Sequence, residues 1–352
     1  MERKVRIGFV GVGNMGQAAH LSRYAELPDC EVAAIAELRE NTARMVAARY
    51  GVKKVYRDHR QMLAEEQLDG VVVIQPFDRH AVLLPEIYGK APCVLTEKPL
   101  AVSVRAAGRL AELARKTGTV HMVGYNKRSD PATVYAREVV SRWKKTGEVG
   151  RMRYVRITMP PGDWIAGGFS GVINGGDPVP ALEREQTDSG FSSDAHRRYV
   201  EFINYYVHQV NLLRYLLGEN YRAIFADRNG VLLVAETASG VTGTIEMSPY
   251  RTSVAWEETA LVGFEKGYIL LRLPAPLAVN RAGAVEVYTD AAGTPVRTQP
   301  TLPWADSMRQ QAVNFLKVCR GEMSPPCDAQ EAVEDLRVCR DYIALLTERE
   351  GE

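Results

Sequence analysis

From residue 4 to about 124, short apolar runs alternate with longer amphipathic stretches. Val5–Val10, Val32–Ala36, Val71–Ile74, Cys93–Leu95 and Val120–Val123 read as strands. Near-continuous Val and Ile runs have no wet face, so helices must cover both sides, which predicts a doubly wound parallel α/β sheet. After a helix over residues 131–146 the pattern changes. In Val241 to Met247 the odd positions are apolar or small and the even ones polar, the mark of a strand with one wet face. Arg153–Thr158, Val231–Glu236, Leu261–Phe264 and Tyr268–Leu271 read similarly, giving an α+β part on a mostly antiparallel open sheet. One helix is expected from Arg198 to Leu217, stopped by Gly218. Helices over 305–320 and 328–349 close the chain. The segment 160–195, rich in Gly, Pro, Asp and Ser, reads as a functional loop or an oligomer contact.

A length of 352 residues exceeds what one core usually serves. Two domains are expected, 1–124 and 125–352, with the C-terminal helices packing back toward the first. The formal net charge is +1, which argues against a nucleic-acid partner. No apolar run approaches the ~18 residues that span a bilayer. Met1-Glu2-Arg3-Lys4 leads straight into a strand, so a soluble, cytoplasmic protein is expected. The five cysteines are scattered and read as reduced structural thiols; the six histidines show no metal-ligand spacing, and no metal is expected.

The first apolar run ends in Gly11-Val12-Gly13-Asn14-Met15-Gly16, followed at once by an amphipathic stretch, and Glu37 closes the next strand 21 residues after Gly16. That order of strand, glycine turn, helix and acidic residue is a dinucleotide-binding arrangement. Gly11 permits the tight turn, Gly13 lets backbone approach a pyrophosphate, and Gly16 lets helix and strand pack closely. The helix N-terminus then holds the phosphates. Glu37 can accept from the ribose hydroxyls and would repel the extra phosphate of NADP, so NAD is favoured. Arg39 leaves NADP open, because an arginine there can neutralise that phosphate.

Glu97-Lys98-Pro99 places a lysine at the C-terminal end of a parallel strand, where doubly wound folds bind ligands. Taken together, the glycine turn, Glu97-Lys98-Pro99, Gln75-Pro76 followed by His80, Gly124-Tyr125-Asn126-Lys127-Arg128 and His208 before Leu212 to Gly218 resemble the Gfo/Idh/MocA family over nearly the whole chain. The resemblance implies a Rossmann domain and a C-terminal sheet domain that joins subunits into a homodimer or homotetramer. It also implies pyridine-nucleotide oxidation or reduction of a sugar or polyol. By the same resemblance Gln75, Pro76, His80, Glu97 and Lys98 lie at the cofactor, Lys98 orients substrate and cofactor, and His208 exchanges the substrate hydroxyl proton. The Lys98–Pro99 bond is then expected to be cis. Chemistry supports these roles: hydride leaving a carbinol carbon strands a proton on oxygen, which an imidazole can accept near neutrality.

Asn204, His208 and Asn211 stand four and three residues apart, one polar face on an otherwise apolar helix. Many relatives carry aspartate at the two outer positions. Asparagine can hold the imidazole or a substrate hydroxyl but supplies no charge to an imidazolium, so His208 should be a weaker base than in those relatives. Arg128 reads as either a substrate contact or a structural ion pair, and Tyr125 as a nicotinamide neighbour or a packing residue. The 160–195 segment, with Trp164, Gly167-Gly168 and Asp177, could cap substrate or pass to a neighbouring subunit. Two other functions fit the same residues: glycosidic cleavage through transient oxidation by retained NAD, and a dinucleotide-binding regulator without chemistry.

Overall fold

The computed structural model describes residues 3–178, 180–185, 190–291 and 293–350. Met1 and Glu2, and positions 179 and 186–189 of the 160–195 segment, lie outside the described residues. The chain divides into two compact units. One comprises Met1–Tyr125, Gly167–Ser189 and Met308–Val333, the other Asn126–Ala166, Gly190–Ser307 and Glu334–Glu352.

The first unit carries six parallel strands: β1 (Val5–Val10), β2 (Cys30–Ala36), β3 (Lys54–Tyr56), β4 (Gly70–Val73), β5 (Cys93–Thr96) and β6 (Val120–Val123). Their order is β3-β2-β1-β4-β5-β6. Consecutive strands leave β1 in opposite directions, so the crevice for a ligand opens at the carboxyl ends of β1 and β4. β3 is an element the sequence pattern missed, being three residues long with two of them exposed. After β1 the chain enters a π-helical turn (Gly16–Leu21) and then α1 (Ser22–Ala25), followed by α2 (Glu40–Tyr50), α3 (His59–Glu65), α4 (His80–Ile87) and α5 (Val104–Thr117). Ser103 caps α5 by accepting from the Ala106 N–H, the expected use of serine at that position.

The second unit holds an eight-stranded sheet of β7 (Met152–Met159), β8 (Tyr221–Ala226), β9 (Leu232–Thr237), β10 (Thr242–Met247), β11 (Glu258–Phe264), β12 (Gly267–Leu273), β13 (Ala284–Thr289) and β14 (Val296–Thr298), in the order β14-β13-β12-β11-β7-β10-β9-β8. Only β7 and β10 run parallel; the other pairs are antiparallel. Alternation along β7 and β11 buries every second residue, including Val155, Ile157, Ala260 and Val262, as a sheet covered on one face requires. α6 (Pro131–Thr146) lies on that face, where Trp143 meets Phe264 edge-on at 5.2 Å.

The single helix expected over 198–217 is in fact two, α7 (Ser193–Tyr205) and α8 (Val207–Leu217), separated at Tyr206. No Gly or Pro marks the break. The Tyr206 ring packs on its helical neighbours Tyr205 at 5.0 Å and Phe202 at 5.8 Å, and its hydroxyl pairs with the distant Ser248 Oγ at 2.8 Å. α9 (Ser307–Cys319) returns to the first unit, where Phe315 and Leu316 join the core beside Tyr24, and α10 (Ala329–Glu350) closes the chain.

Candidate active site

The glycine turn shows which of its residues serve the fold and which leave room for a ligand. Gly11 has φ +92°, and a Cβ on it would lie 2.4 Å from the Ile74 carbonyl oxygen. A Cβ on Gly16 would lie 2.8 Å from the Gly11 carbonyl oxygen. Both glycines are therefore required by the protein's own backbone. Gly13 differs: the nearest atom to its Cβ position is Arg39 Nη2 at 3.5 Å, an ordinary contact. Its missing side chain is not needed by the protein but clears the way to the groove. Asn14 is exposed, and Met15 is half-buried against the core.

The groove, of about 610 Å³, is bounded by Gly11 and Gly13, by Glu37, Leu38 and Arg39 after β2, and by Ile74, Gln75, Pro76 and Arg79 after β4. Its size suits a small-molecule cofactor. Glu37 Oε2 accepts from the Val12 N–H at 2.9 Å and from Arg39 Nη2 at 3.0 Å. Its Oε1 accepts from the Arg39 N–H at 3.0 Å and from Arg39 Nε at 2.9 Å. Burial works to raise this carboxyl, but the Arg39 guanidinium and the two backbone N–H groups outweigh it and hold the group below the usual carboxylate range. Arg39 is thus held by the carboxylate beside it, and the glycine turn is tied to the end of β2.

Gln75 Oε1 accepts from Arg79 Nη1 at 2.8 Å, and Pro76 opens the short 3₁₀ turn Phe77–Arg79. His80 has no exposed surface; its Nδ1 pairs with the Leu100 carbonyl at 3.1 Å, and burial pushes its pKa down to about 4. It therefore supports the Glu97–Leu100 turn from beneath as a neutral imidazole. Within that turn the Lys98–Pro99 bond is cis, Lys98 is half-buried, and Glu97 Oε1 lies 2.8 Å from His20 Nε2. His20, buried in the π-helical turn after the glycines, is a partner the sequence did not reveal. It links the helix behind the glycine turn to the Glu-Lys-Pro turn 77 residues away. Tyr125 is buried.

The second unit holds the other residues read from the sequence. His208, half-buried, is the second residue of α8, and Asn204, exposed, is the penultimate residue of α7. The break at Tyr206 lies between them, so they do not share one continuous helix as expected. Asn211 is engaged at both ends: its Oδ1 accepts from Arg128 Nε at 2.7 Å and its Nδ2 donates to Asp335 Oδ2 at 2.7 Å. Asp335 also pairs with Arg214 at 2.9 Å with both side chains buried, and Arg128 stacks over Tyr215 at 4.8 Å. Beside His208, Gln209 donates to Glu258, whose other oxygen takes Lys127 Nζ at 2.6 Å. Neither buried pair was foreseen, since the partners stand 121 and 131 residues apart.

Residues 5–125 match the family model described as an oxidoreductase family with an NAD-binding Rossmann fold. Among curated proteins, the chain is 26% identical to the myo-inositol 2-dehydrogenase of Thermotoga maritima, over 66% of this chain and 60% of that protein. It is 23% identical to a scyllo-inositol 2-dehydrogenase (NAD(+)) of Bacillus subtilis, over 72% and 69% of the two chains. Among solved structures, the aldose-aldose oxidoreductase of Caulobacter crescentus superposes with a TM-score of 0.70 at 19% identity, covering 99% of each chain.

Proposed function

We propose that this chain, an oxidoreductase of the Gfo/Idh/MocA family, transfers a hydride between NAD and a hydroxyl or keto carbon of a sugar, sugar derivative or cyclic polyol. The observation that carries the cofactor reading is Gly13, whose side-chain direction meets no protein atom closer than Arg39 Nη2 at 3.5 Å, on a groove that Glu37 also lines. Gly11, Gly13 and Gly16 with the following N–H groups would hold the pyrophosphate, Glu37 the adenosine ribose, and Gln75 and Pro76 the rim. Arg39 bonded to Glu37 favours NAD over NADP, because the guanidinium must leave that carboxylate before it can meet a 2′-phosphate. The names of the inositol dehydrogenase relatives support a polyol or sugar substrate.

In the direction of oxidation His208 accepts the hydroxyl proton, and in reduction it donates it. Lys98, a cation at the end of β5, supplies positive charge to a developing oxyanion. Asn204 offers an amide to the imidazole or to a neighbouring hydroxyl. Asn211 and Arg128, which bond each other, set the position of α8 rather than meet the substrate directly. The reading includes substrate binding and self-association through the second unit's sheet, and a cytoplasmic location. No helix among the described residues is long and apolar enough to cross a membrane.

The test is a panel of inositols, sugars and keto-sugars followed by nicotinamide absorbance with NAD(H) and NADP(H) in parallel. Lys98→Ala and His208→Ala should each reduce kcat at least a hundredfold while NADH still binds. Activity surviving in both variants would overturn the assignment of the two residues.

A further inference from the structure

Residues 171–178 and 180–185 belong to the first unit, and their contacts run along both sides of the proposed dinucleotide groove. On one side, Gln17 of the turn after the glycines donates to the Val12 and Ile173 carbonyls at 2.8 and 2.9 Å and accepts from the Ile173 N–H at 2.8 Å. Asp177 then accepts from the Asn41 and Thr42 N–H groups at 3.0 and 2.8 Å and from Thr42 Oγ1 at 2.9 Å. α2 has no side-chain cap of its own at Arg39, so Asp177 satisfies the free donors of that helix from a distant part of the chain. The approach is tight: a Cβ on Gly175 would lie 2.4 Å from the Thr42 nitrogen.

On the other side, the Glu185 N–H donates to the Asp78 carbonyl at 2.6 Å, and Arg79 Nε donates to the Glu183 carbonyl at 3.1 Å. The Glu185 carboxylate accepts from the Val102 N–H at 3.1 Å and Ser103 Oγ at 2.8 Å. Arg184 pairs with Asp78. Between the two sets of anchors, Pro180, Leu182 and Glu183 line the same groove as Gly13, Glu37 and Gln75.

Resting on the dinucleotide reading above, we propose that residues 171–178 and 180–185 form a strap over the adenosine half of the cofactor. In this arrangement Pro180 and Leu182 are cofactor-contacting residues, and the anchors Asp177 and Glu185 set the rate at which the dinucleotide leaves. The described residues of the segment meet the N-terminus of α2 on one rim, and the turn after β4 and the N-terminus of α5 on the other. A bound dinucleotide then leaves only when one set of anchors opens. Neither anchor touches the reacting end, so their loss speeds release without removing any group proposed for the chemistry.

The experiment measures NADH release by stopped-flow displacement for the wild type, for Asp177→Ala, Glu185→Ala and the double variant, and for Glu112→Ala as a surface control. Tryptic cleavage after Arg184 is followed in the wild type with and without saturating NADH, so one readout does not depend on any variant folding. Expected are release at least tenfold faster in the double variant, unchanged release in the control, and cleavage slowed at least tenfold by NADH. Release within twofold of wild type, or cleavage indifferent to NADH, overturns the strap while the dinucleotide site stands. Failure of the wild type to bind either NADH or NADPH overturns the dinucleotide reading and the strap with it.

Discussion

Replacing Gly13 by alanine separates the demands of a ligand from those of the fold. The added methyl would sit 3.5 Å from Arg39 Nη2, with no closer protein atom, and Gly13 is not in the left-handed region. The unliganded protein should accept it. Fewer unfolded conformations even favour the variant, by about 0.4–1 kcal/mol where the backbone is compatible, so Tm should hold or rise slightly. Under the proposed cofactor placement the methyl instead projects where the pyrophosphate approaches the backbone. Loss of one hydrogen bond to a charged group is worth about 1.5–3 kcal/mol, which is roughly 10- to 150-fold in Kd. NADH fluorescence titration measures the second effect and differential scanning fluorimetry the first. Gly16→Ala is the contrast: its Cβ would meet the Gly11 carbonyl at 2.8 Å, and overpacking of about 1–3 kcal/mol should lower Tm before any ligand is added. A Gly13→Ala protein that binds NADH within twofold of wild type would refute the placement of the pyrophosphate. One whose Tm falls as far as that of Gly16→Ala would refute the claim that the position is free of structural duty.

Glu37→Ala releases Arg39 from its bonds and removes the negative charge at the proposed ribose end, so the ratio of NADP to NAD affinity should rise at least tenfold; an unchanged ratio in parallel titrations would place the selector elsewhere. His80 stays neutral in the fold, with a pKa depressed to about 4 from 6.5, so only the unfolded chain takes up its proton between those values. Its contribution is therefore complete above pH 6.5 and is lost as pH falls toward 4, by about 3 kcal/mol at 1.36 kcal/mol per unit. Thermal melts from pH 7 to 4 should show a shallower decline in His80→Phe, and an identical pH slope would count against the buried neutral imidazole. Asp335→Ala leaves Arg214 buried without its carboxylate, which should cost about 3–5 kcal/mol by urea unfolding; a loss below 1 kcal/mol would mean that water or another group replaces the carboxylate.

The sequence alone determined the features that depend on neighbours along the chain. Strand β1, the glycine turn and Glu37 at the end of β2 could be read because turn geometry and helix entry are set within a few residues, and each glycine has a local steric reason. Buried strands versus one-faced strands could be read from continuous or alternating apolar positions, which separated the parallel sheet from the mostly antiparallel one. Only tertiary structure decided the rest. The helix over 198–217 is interrupted at Tyr206, whose hydroxyl pairs with Ser248 Oγ from another part of the chain, and no residue in the helical pattern announces that contact. Asn211, read as a substrate contact from its spacing to His208, is held between Arg128 and Asp335. The polar loop after β7 reads from the sequence only as a segment with a partner to find, and Asp177 and Glu185 fasten it to Thr42 and Ser103, 135 and 82 residues away. In each case the deciding partner lies tens to more than a hundred residues away, and periodicity records which face of an element is buried but not what is buried against it.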